Sequence, residues 1–386
     1  MKRVFRYAYW RWRGVRERYV EPFATTLWHR LYGRRKIRTM PGYRKPGSKV
    51  AIYLIYPKWT VQPSHIGSMA YLAEKGFSVI VVSNLALSPN DIDLLRPHST
   101  SIIERPNIGY DFGGYQDGVR SIRSCRDALD QLILVNDSTW FPLAGSRDWI
   151  EDVSALGVDF AGAASNLGLA PLTPEEFRSF EWSYETGRPQ FHYCSYALSF
   201  GNKILRDGAF WSFWDRFQIT NDKIQTVRRG EVGLSQLLIG RGHSHGCTLA
   251  MDDLGSYVAS LSDERLGQLV RALIIPQERE LSVAKAAFLA HEPASAEWRG
   301  DAVRFILNAI ARTGISYALP ELTVRELGFP FLKKSPLFLD SEGCRETLRI
   351  LKMQPNPIGT ELLAEARHMM GTDEPERKRL VSTKAA

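Results

Sequence analysis

Arg105-Pro-Asn-Ile-Gly-Tyr-Asp-Phe-Gly-Gly-Tyr115, read together with Leu132-Ile-Leu-Val-Asn-Asp-Ser138, decides the fold. The first stretch is a polar loop rich in glycine. The second is a short apolar run that ends abruptly in Asn136 and Asp137. Enough residues separate them for one helix, predicted from Tyr115 to Asp127, that crosses back over a sheet. Loop, helix, buried strand and acidic tip form a βαβ-type unit with its polar ends on one edge. Open α/β sheets bind ligands at such edges.

Toward the N-terminus, Lys49-Val-Ala-Ile-Tyr-Leu-Ile-Tyr56 is a continuous apolar run of strand length, as in a sheet covered on both faces. Ser64 is the expected cap of the next helix, whose apolar face reads Ile66, Met69, Ala70 and Ala73 and which Gly76 ends. Residues 77–84 form a second strand, Ser88 starts a short helix through Leu95, and residues 101–104 form a third strand entering the glycine-rich loop. This alternation predicts a mostly parallel sheet with right-handed crossovers.

Toward the C-terminus the pattern predicts a helix over 146–156, a strand over 159–163, an excursion over 164–190 and a strand over 191–200. An aromatic helix over 209–217 is expected to pack its rings in the core. A further helix begins near Gly230 and leads to the loop of His243 and His245. From about 262 the pattern is helical. The expected organisation is an N-terminal arm over 1–48, an α/β domain over 49–261 and a helical region over 262–386 with a charged tail.

The 386 residues carry a formal charge of +8, unevenly placed. Residues 1–48 hold 14 Lys/Arg against 2 Asp/Glu, so the remainder is net acidic. The basic character belongs to the arm and says little about what the body binds. Trp10, Trp12, Tyr19, Phe23, Trp28 and Tyr32 are interleaved with its arginines, which suits a membrane interface carrying anionic lipid. An arm packed on the body and a nucleic-acid tail are the other readings; no nucleic-acid partner is expected. Four cysteines lie far apart without a CxxC pair, which excludes the common zinc patterns and a secreted disulfide framework. Reduced thiols in a cytoplasmic protein follow. No run reaches the length of a membrane span.

Several residues are candidates for chemistry. Gly109, Gly113 and Gly114 remove side chains where a backbone bends or approaches a ligand closely. Asn107 and Asp111 offer hydrogen bonds to a ribose, a base edge or a sugar, or Asp111 caps a helix. The spacing is not GxGxxG, so a dinucleotide fingerprint is not supported. Asp137 at a strand tip is a hard oxygen ligand for Mg²⁺ or Mn²⁺, or a loop cap. Glu231 near a helix start is a candidate general base, or a carboxylate favoured by the helix dipole. His192, in a strand, reads first as a core histidine.

The motif Asn107-x-Gly-x-Asp-Phe-Gly-Gly-Tyr, followed by an apolar strand ending Asn136-Asp-Ser138, resembles the rhamnan synthesis protein F family of polysaccharide-assembly proteins. Asp159-Phe-Ala-Gly162, His192-x-x-Ser195-Tyr196, Phe210-Trp-Ser-Phe-Trp214, Glu231-x-Gly-x-Ser235 and Phe329-Pro-Phe-Leu-Lys333 are similar to further segments of it, in order. The resemblance covers roughly 49–340. It implies a GT-A-like fold and a glycosyltransferase that moves a deoxyhexose, rhamnose being the leading case, from a nucleoside diphosphate sugar to a lipid-linked glycan at the cytoplasmic membrane face. By the same resemblance Asp137 is the metal or diphosphate residue, with Asn136 and Ser138 assisting. Asn107, Gly109, Asp111, Gly113 and Gly114 seat the donor. Glu231 is the base, and His192, Ser195 and Tyr196 line the sugar or acceptor cleft. One departure bears on the divalent cation: Asn136 stands where a DxD motif has its first carboxylate, leaving a single acid. That departure keeps open a second reading, a non-catalytic glycan-binding or assembly protein with a glycosyltransferase-like fold.

Overall fold

A computed structural model describes residues 15–168, 174–275, 279–290, 296–339 and 341–384. The contacts divide the chain into two compact units. The first comprises 1–137, 153–163 and 189–248; the second comprises 138–152, 164–188 and 249–386.

The first unit is built on one sheet of eight strands. They are β1 (Arg38–Pro41), β2 (Lys49–Ile55), β3 (Ser78–Ser83), β4 (Ser101–Glu104), β5 (Gln131–Asn136), β6 (Phe160–Gly162), β7 (Ala197–Gly201) and β8 (His245–Cys247), in the order β1-β4-β3-β2-β5-β7-β6-β8. β4, β3, β2 and β5 run parallel, β7 lies antiparallel between β5 and β6, and β1 closes one edge antiparallel to β4. Every residue of β3 and all of β2 after Lys49 are buried, which is why these strands read as unbroken apolar runs.

Helices cover both faces of this sheet. α1 (Glu21–Leu31) belongs to the arm, and α2 (Pro63–Glu74), α3 (Pro89–Leu95) and α4 (Tyr110–Ser121) follow. Gly114 of α4 rests on Leu54 and Gly118 on Ile52, on one face of β2. His65 of α2 meets the ring of Tyr53 edge-on at 6.4 Å, on the other face. The α/β class expected from the sequence, a mostly parallel sheet with flanking helices, is the architecture found.

Two local expectations give way. The cap of α2 is Gln62, with Pro63 at the first helical position, and its buried face is Ser64, His65, Ser68, Met69 and Leu72, rotated from the apolar face expected. The helix expected over 115–127 instead begins at Tyr110 and ends at Ser121, followed by a short 3₁₀ turn over Arg123–Ala128. The glycines are helical because close packing on β2 requires them, which outweighs glycine's weak helix propensity.

The arm packs on the first unit. Pro22, Thr26 and His29 of α1 are buried, and His29 Nε2 lies 2.9 Å from Asp117 Oδ1 on α4. Arg105 donates to the other oxygen of Asp117 at 2.7 Å and to Asn84 at 2.6 Å. Burial alone would raise the Asp117 carboxyl; the hydrogen bond with His29 and the charge of Arg105 outweigh it and hold the group below its ordinary range. The aromatic helix Gly208–Arg216 packs as expected, with Trp214 stacked on Phe112 at 5.7 Å.

The second unit is largely helical. Its core gathers Trp140, Leu143, Leu332, Leu337, Ile350, Leu351, Leu362 and Ala366. Thr139–Trp140 pairs antiparallel with Leu332–Lys333, and Phe331 stacks on Phe141 at 4.2 Å. Among the described residues no helix is long and apolar enough to cross a membrane. None of the four cysteines, all among the described residues, is in a disulfide.

Candidate active site

The crossovers of the sheet reverse direction between β2 and β5. From β2 the chain steps outward through β3 and β4, then returns to place β5 on β2's other side. Strand ends splay around such a switch point, and ligands bind in the crevice it leaves. Asp137 sits there. Its backbone N–H donates to Leu54 O at 3.0 Å, and its Oδ2 accepts from the Tyr56 N–H at 2.6 Å. His65 Nε2 lies 3.2 Å from the same oxygen. His65 Nδ1 accepts the Gln62 N–H at 3.0 Å, which leaves the ring proton on Nε2 to donate to Asp137. Two donors from the elements following β2 therefore fix this carboxylate.

A second carboxylate meets the preceding residue, Asn136. Asp111, in the first turn of α4, accepts from Asn136 Nδ2 at 2.9 Å and from Ser195 Oγ at 3.4 Å, both on Oδ2. Ser195 lies in a turn between His192–Tyr193 and β7, so the strand expected over 191–200 is broken there. The break frees its N–H to donate to Glu231 Oε2 at 3.2 Å, and His192 Nε2 lies 3.9 Å from that oxygen. Tyr115 OH donates to Ser195 O at 2.8 Å from below. Burial, together with the charge of Asp111, pushes this phenol well above its ordinary range, so it remains a donor. Asp111, Asn136, His192, Ser195 and Glu231 thus form one polar cluster, and Asp137 follows Asn136 in the chain. The Asp137 and Glu231 side chains are 16% and 18% exposed, open enough to meet a ligand.

Glu231 does not sit at a helix start. It lies in a π-helical turn, Val227–Val232, inside a continuous helical run from Lys223 to Gly240. Gly230 faces the Phe112 ring so closely that a Cβ would overlap it. π-Turns within helices recur at functional sites because they re-aim a side chain. The dipole account of Glu231 is therefore replaced by a packing one.

The glycines have structural duties. Gly109 adopts φ +78° as the cap of α4 and lies against Ile219, and its N–H donates to Asn221 Oδ1 at 3.0 Å. A Cβ on Gly113 would strike Ile108 O, and one on Gly114 would strike Leu54. Gly113 and Gly114 thus lie buried in α4, where close packing leaves no room for a Cβ. Tyr110 adopts φ 48° at the same corner, a strained conformation for a non-glycine residue. Asn107 is exposed in the loop before α4. Tyr196 is buried and takes part through its carbonyl, which accepts the Asn136 N–H at 3.1 Å. Ser138 begins the second unit, where its carbonyl accepts from Lys334 N at 3.0 Å. His243 and His245 pair with Asp207 and Tyr193.

The sequence alone assigns no site role to Tyr56, His65 or Tyr115. A backbone N–H carries no sequence signal. The spacing Gln62-Pro-Ser-His65 after an apolar strand was the one available hint of His65.

The donor set fits a divalent cation in one way. Among the described residues no cluster of three or more His, Cys, Asp or Glu could hold a metal. Asp137 supplies one hard carboxylate, which suits Mg²⁺ or Mn²⁺ shared with substrate phosphates and does not make an all-protein cage.

Residues 79–264 match the family described as rhamnan synthesis protein F. An uncharacterized protein, y4gN, of Sinorhizobium fredii is 26% identical over 294 residues, 76% of this chain and 72% of its own. Virulence protein VirA of Vibrio anguillarum is 27% identical over 199 residues, 50% of this chain and 57% of its own. Among solved structures, the mannosyltransferase PcManGT from Pyrobaculum calidifontis, in complex with GDP-Man and Mn²⁺, aligns over 92% of this chain and 96% of its own at 12% identity and a TM-score of 0.28. Core-mannan synthase A from Aspergillus fumigatus, in a Mn/GDP form, aligns over 51% and 72% at 9% identity and a TM-score of 0.28.

Proposed function

For a chain whose residues 79–264 are similar throughout to rhamnan synthesis protein F, we propose a glycosyltransferase that moves a deoxyhexose, rhamnose being the leading case, from a nucleoside diphosphate sugar to a lipid-linked glycan. The observation that carries this reading is the cluster at the sheet's switch point, where Asp111, Asn136, Ser195 and Glu231 meet and Asp137 follows Asn136. The nucleotide-sugar seats along the N-terminal end of α4, with Asp111, Asn107 and the Gly109 corner as its contacts. Asp137, prefixed by Tyr56 N–H and His65, faces the diphosphate with Asn136, and Ser138 follows. A Mg²⁺ or Mn²⁺ held there with the phosphates would neutralise charge on the leaving nucleoside diphosphate.

Glu231 takes the proton of the acceptor hydroxyl. The acceptor oxygen then bonds to the sugar's anomeric carbon as the bond from that carbon to the phosphate oxygen breaks. His192 and Ser195 flank Glu231 and line the sugar or acceptor side. The lipid-linked acceptor places the enzyme on the cytoplasmic face of the cell membrane, with the basic arm against anionic lipid. Asn136 in place of a second acid supports one alternative, a glycan-binding or assembly protein that keeps the fold without turnover.

The test is a thermal-shift screen of purified protein against nucleoside diphosphates and their sugars, with and without Mn²⁺. A ligand at a hundredfold excess over its dissociation constant adds about 2.7 kcal/mol to apparent stability. The expected result is a shift with one nucleotide that weakens in Asp137→Ala. No shift with any nucleotide, on folded protein, moves the assignment to the non-catalytic reading.

A further inference from the structure

The arm helix is built inside out. α1 and the helical turn before it, Arg16–Val20, bury Pro22, Thr26 and His29, with Gly33 just beyond. None of these is a large apolar side chain. Val15, Tyr19, Phe23, Leu27 and Leu31, each four residues from the last, point to solvent instead and are 44–61% exposed. A helix on a water-soluble surface carries the opposite pattern, apolar inward and polar outward. A contiguous exposed apolar stripe rimmed by charge marks an interaction site.

The rim selects the partner. Arg16, Arg18, Arg30 and Arg35 are exposed around the stripe, while the carboxylate of Glu21 turns inward to Thr220 and Asn221. A second copy meeting this stripe would bring two arginine rims together, which like-charge repulsion opposes. An anionic bilayer complements both features: tyrosine at headgroup depth, apolar side chains in the acyl boundary, arginines on lipid phosphates. We propose that the outer face of residues 15–31 is an in-plane docking surface for anionic membrane.

The inner face of the same helix ties this surface to the cluster described above. Thr26 Oγ1 accepts the Ile219 N–H at 2.8 Å, and Glu21 Oε1 accepts the Asn221 N–H at 2.9 Å. Asn221 in turn accepts the Gly109 N–H at the start of α4, and His29 holds Asp117 farther along α4. A docked helix therefore holds the end of α4 that carries Asp111 at a fixed height above the lipid. The inference deepens the membrane contact proposed above, and its test reads no nucleotide and no transfer, so the two can fail separately.

The experiment is co-sedimentation of the full chain with phosphatidylcholine vesicles, with and without phosphatidylglycerol, at low and high salt. Wild type is expected to bind the anionic vesicles at least about tenfold better than the neutral ones, less so at high salt. Phe23→Ser/Leu27→Ser should lose about tenfold or more of that binding while melting like wild type. Arg16→Glu/Arg35→Glu should lose the preference for anionic lipid, and keeps the question answerable should the serine variant melt early. Unchanged binding by both variants overturns the proposal, as does equal binding, or none, to the two vesicle types. A dimer seen by light scattering and lost in Phe23→Ser/Leu27→Ser, without vesicle binding, would assign the face to a second copy instead.

Discussion

Glu231 accepts the Ser195 N–H through Oε2 and has His192 3.9 Å away. A glutamine there keeps an acceptor oxygen for that N–H and nearly the same volume, yet has no basic oxygen to take a proton. Glu231→Gln should therefore retain fold and nucleotide binding and lose about 10²–10⁴-fold in kcat, the usual range for a general base. Steady-state transfer with the nucleotide selected by the thermal screen, measured beside the melting temperature, checks it. Activity within a few-fold of wild type would remove Glu231 from the proton-transfer role. At this scale much was legible in the sequence. Asp137 and Asn136 stand out because an apolar strand rarely ends in two polar side chains without use for them. Glu231 is picked out by residue type alone, while its π-turn is invisible: Gly230 resembles a helix start, and only the Phe112 ring beside it explains the glycine.

The element that decides the geometry of the cluster is α4. Its glycines let it lie directly on β2, so the first turn brings Asp111 to within 2.9 Å of the Asn136 amide. Gly114→Ala inserts a methyl group against Leu54 in a fully buried layer. Overpacking of this kind costs about 1–3 kcal/mol. Alanine's better helix propensity returns at most about 1 kcal/mol of it. Chemical denaturation should show a lower midpoint for Gly114→Ala with an unchanged slope. Gly240→Ala, at a helical position where a Cβ meets nothing within 4 Å, is the control and should be neutral or slightly stabilising. A stable Gly114→Ala protein would return that glycine to a ligand-approach role. The strands were readable because burial on both faces writes unbroken apolar runs. The start of α4 was not, since consecutive glycines signal a loop until the neighbouring strand is known. The same limit hid His65: α2 carries it inward on a face that periodicity alone placed elsewhere.

At the scale of the molecule, the positive excess lies in an arm of 14 Lys/Arg against 2 Asp/Glu, and composition alone does not say whether that arm packs on the body. The sequence shows aromatic side chains interleaved with arginines; it does not show that residues 16–31 are helical or which face the body takes. In the structure the body takes the polar face, and the arm is part of the first unit. β1 pairs with β4 over four residues, His29 shares Asp117 with Arg105, and Thr26 holds the segment before Asn221. A chain starting at residue 49 would leave one oxygen of a buried carboxylate without its histidine, open the edge of β4 and release the backbone that supports Gly109. Losing a hydrogen bond to a buried charged group costs roughly 1.5–3 kcal/mol, the lost contacts of β1 and Thr26 add to it, and a unit of this size loses roughly 2–4 °C per kcal/mol. The 49–386 fragment should thus melt on the order of 10 °C below the full chain, or fail to fold. Point substitution separates the inner contacts from the outer stripe. His29→Ala should reproduce part of the loss, whereas Phe23→Ser, on the solvent face, should melt like wild type. A fragment that melts with the full chain would mean that the arm's inner contacts contribute nothing to the fold, and would return residues 15–48 to the status of a tail.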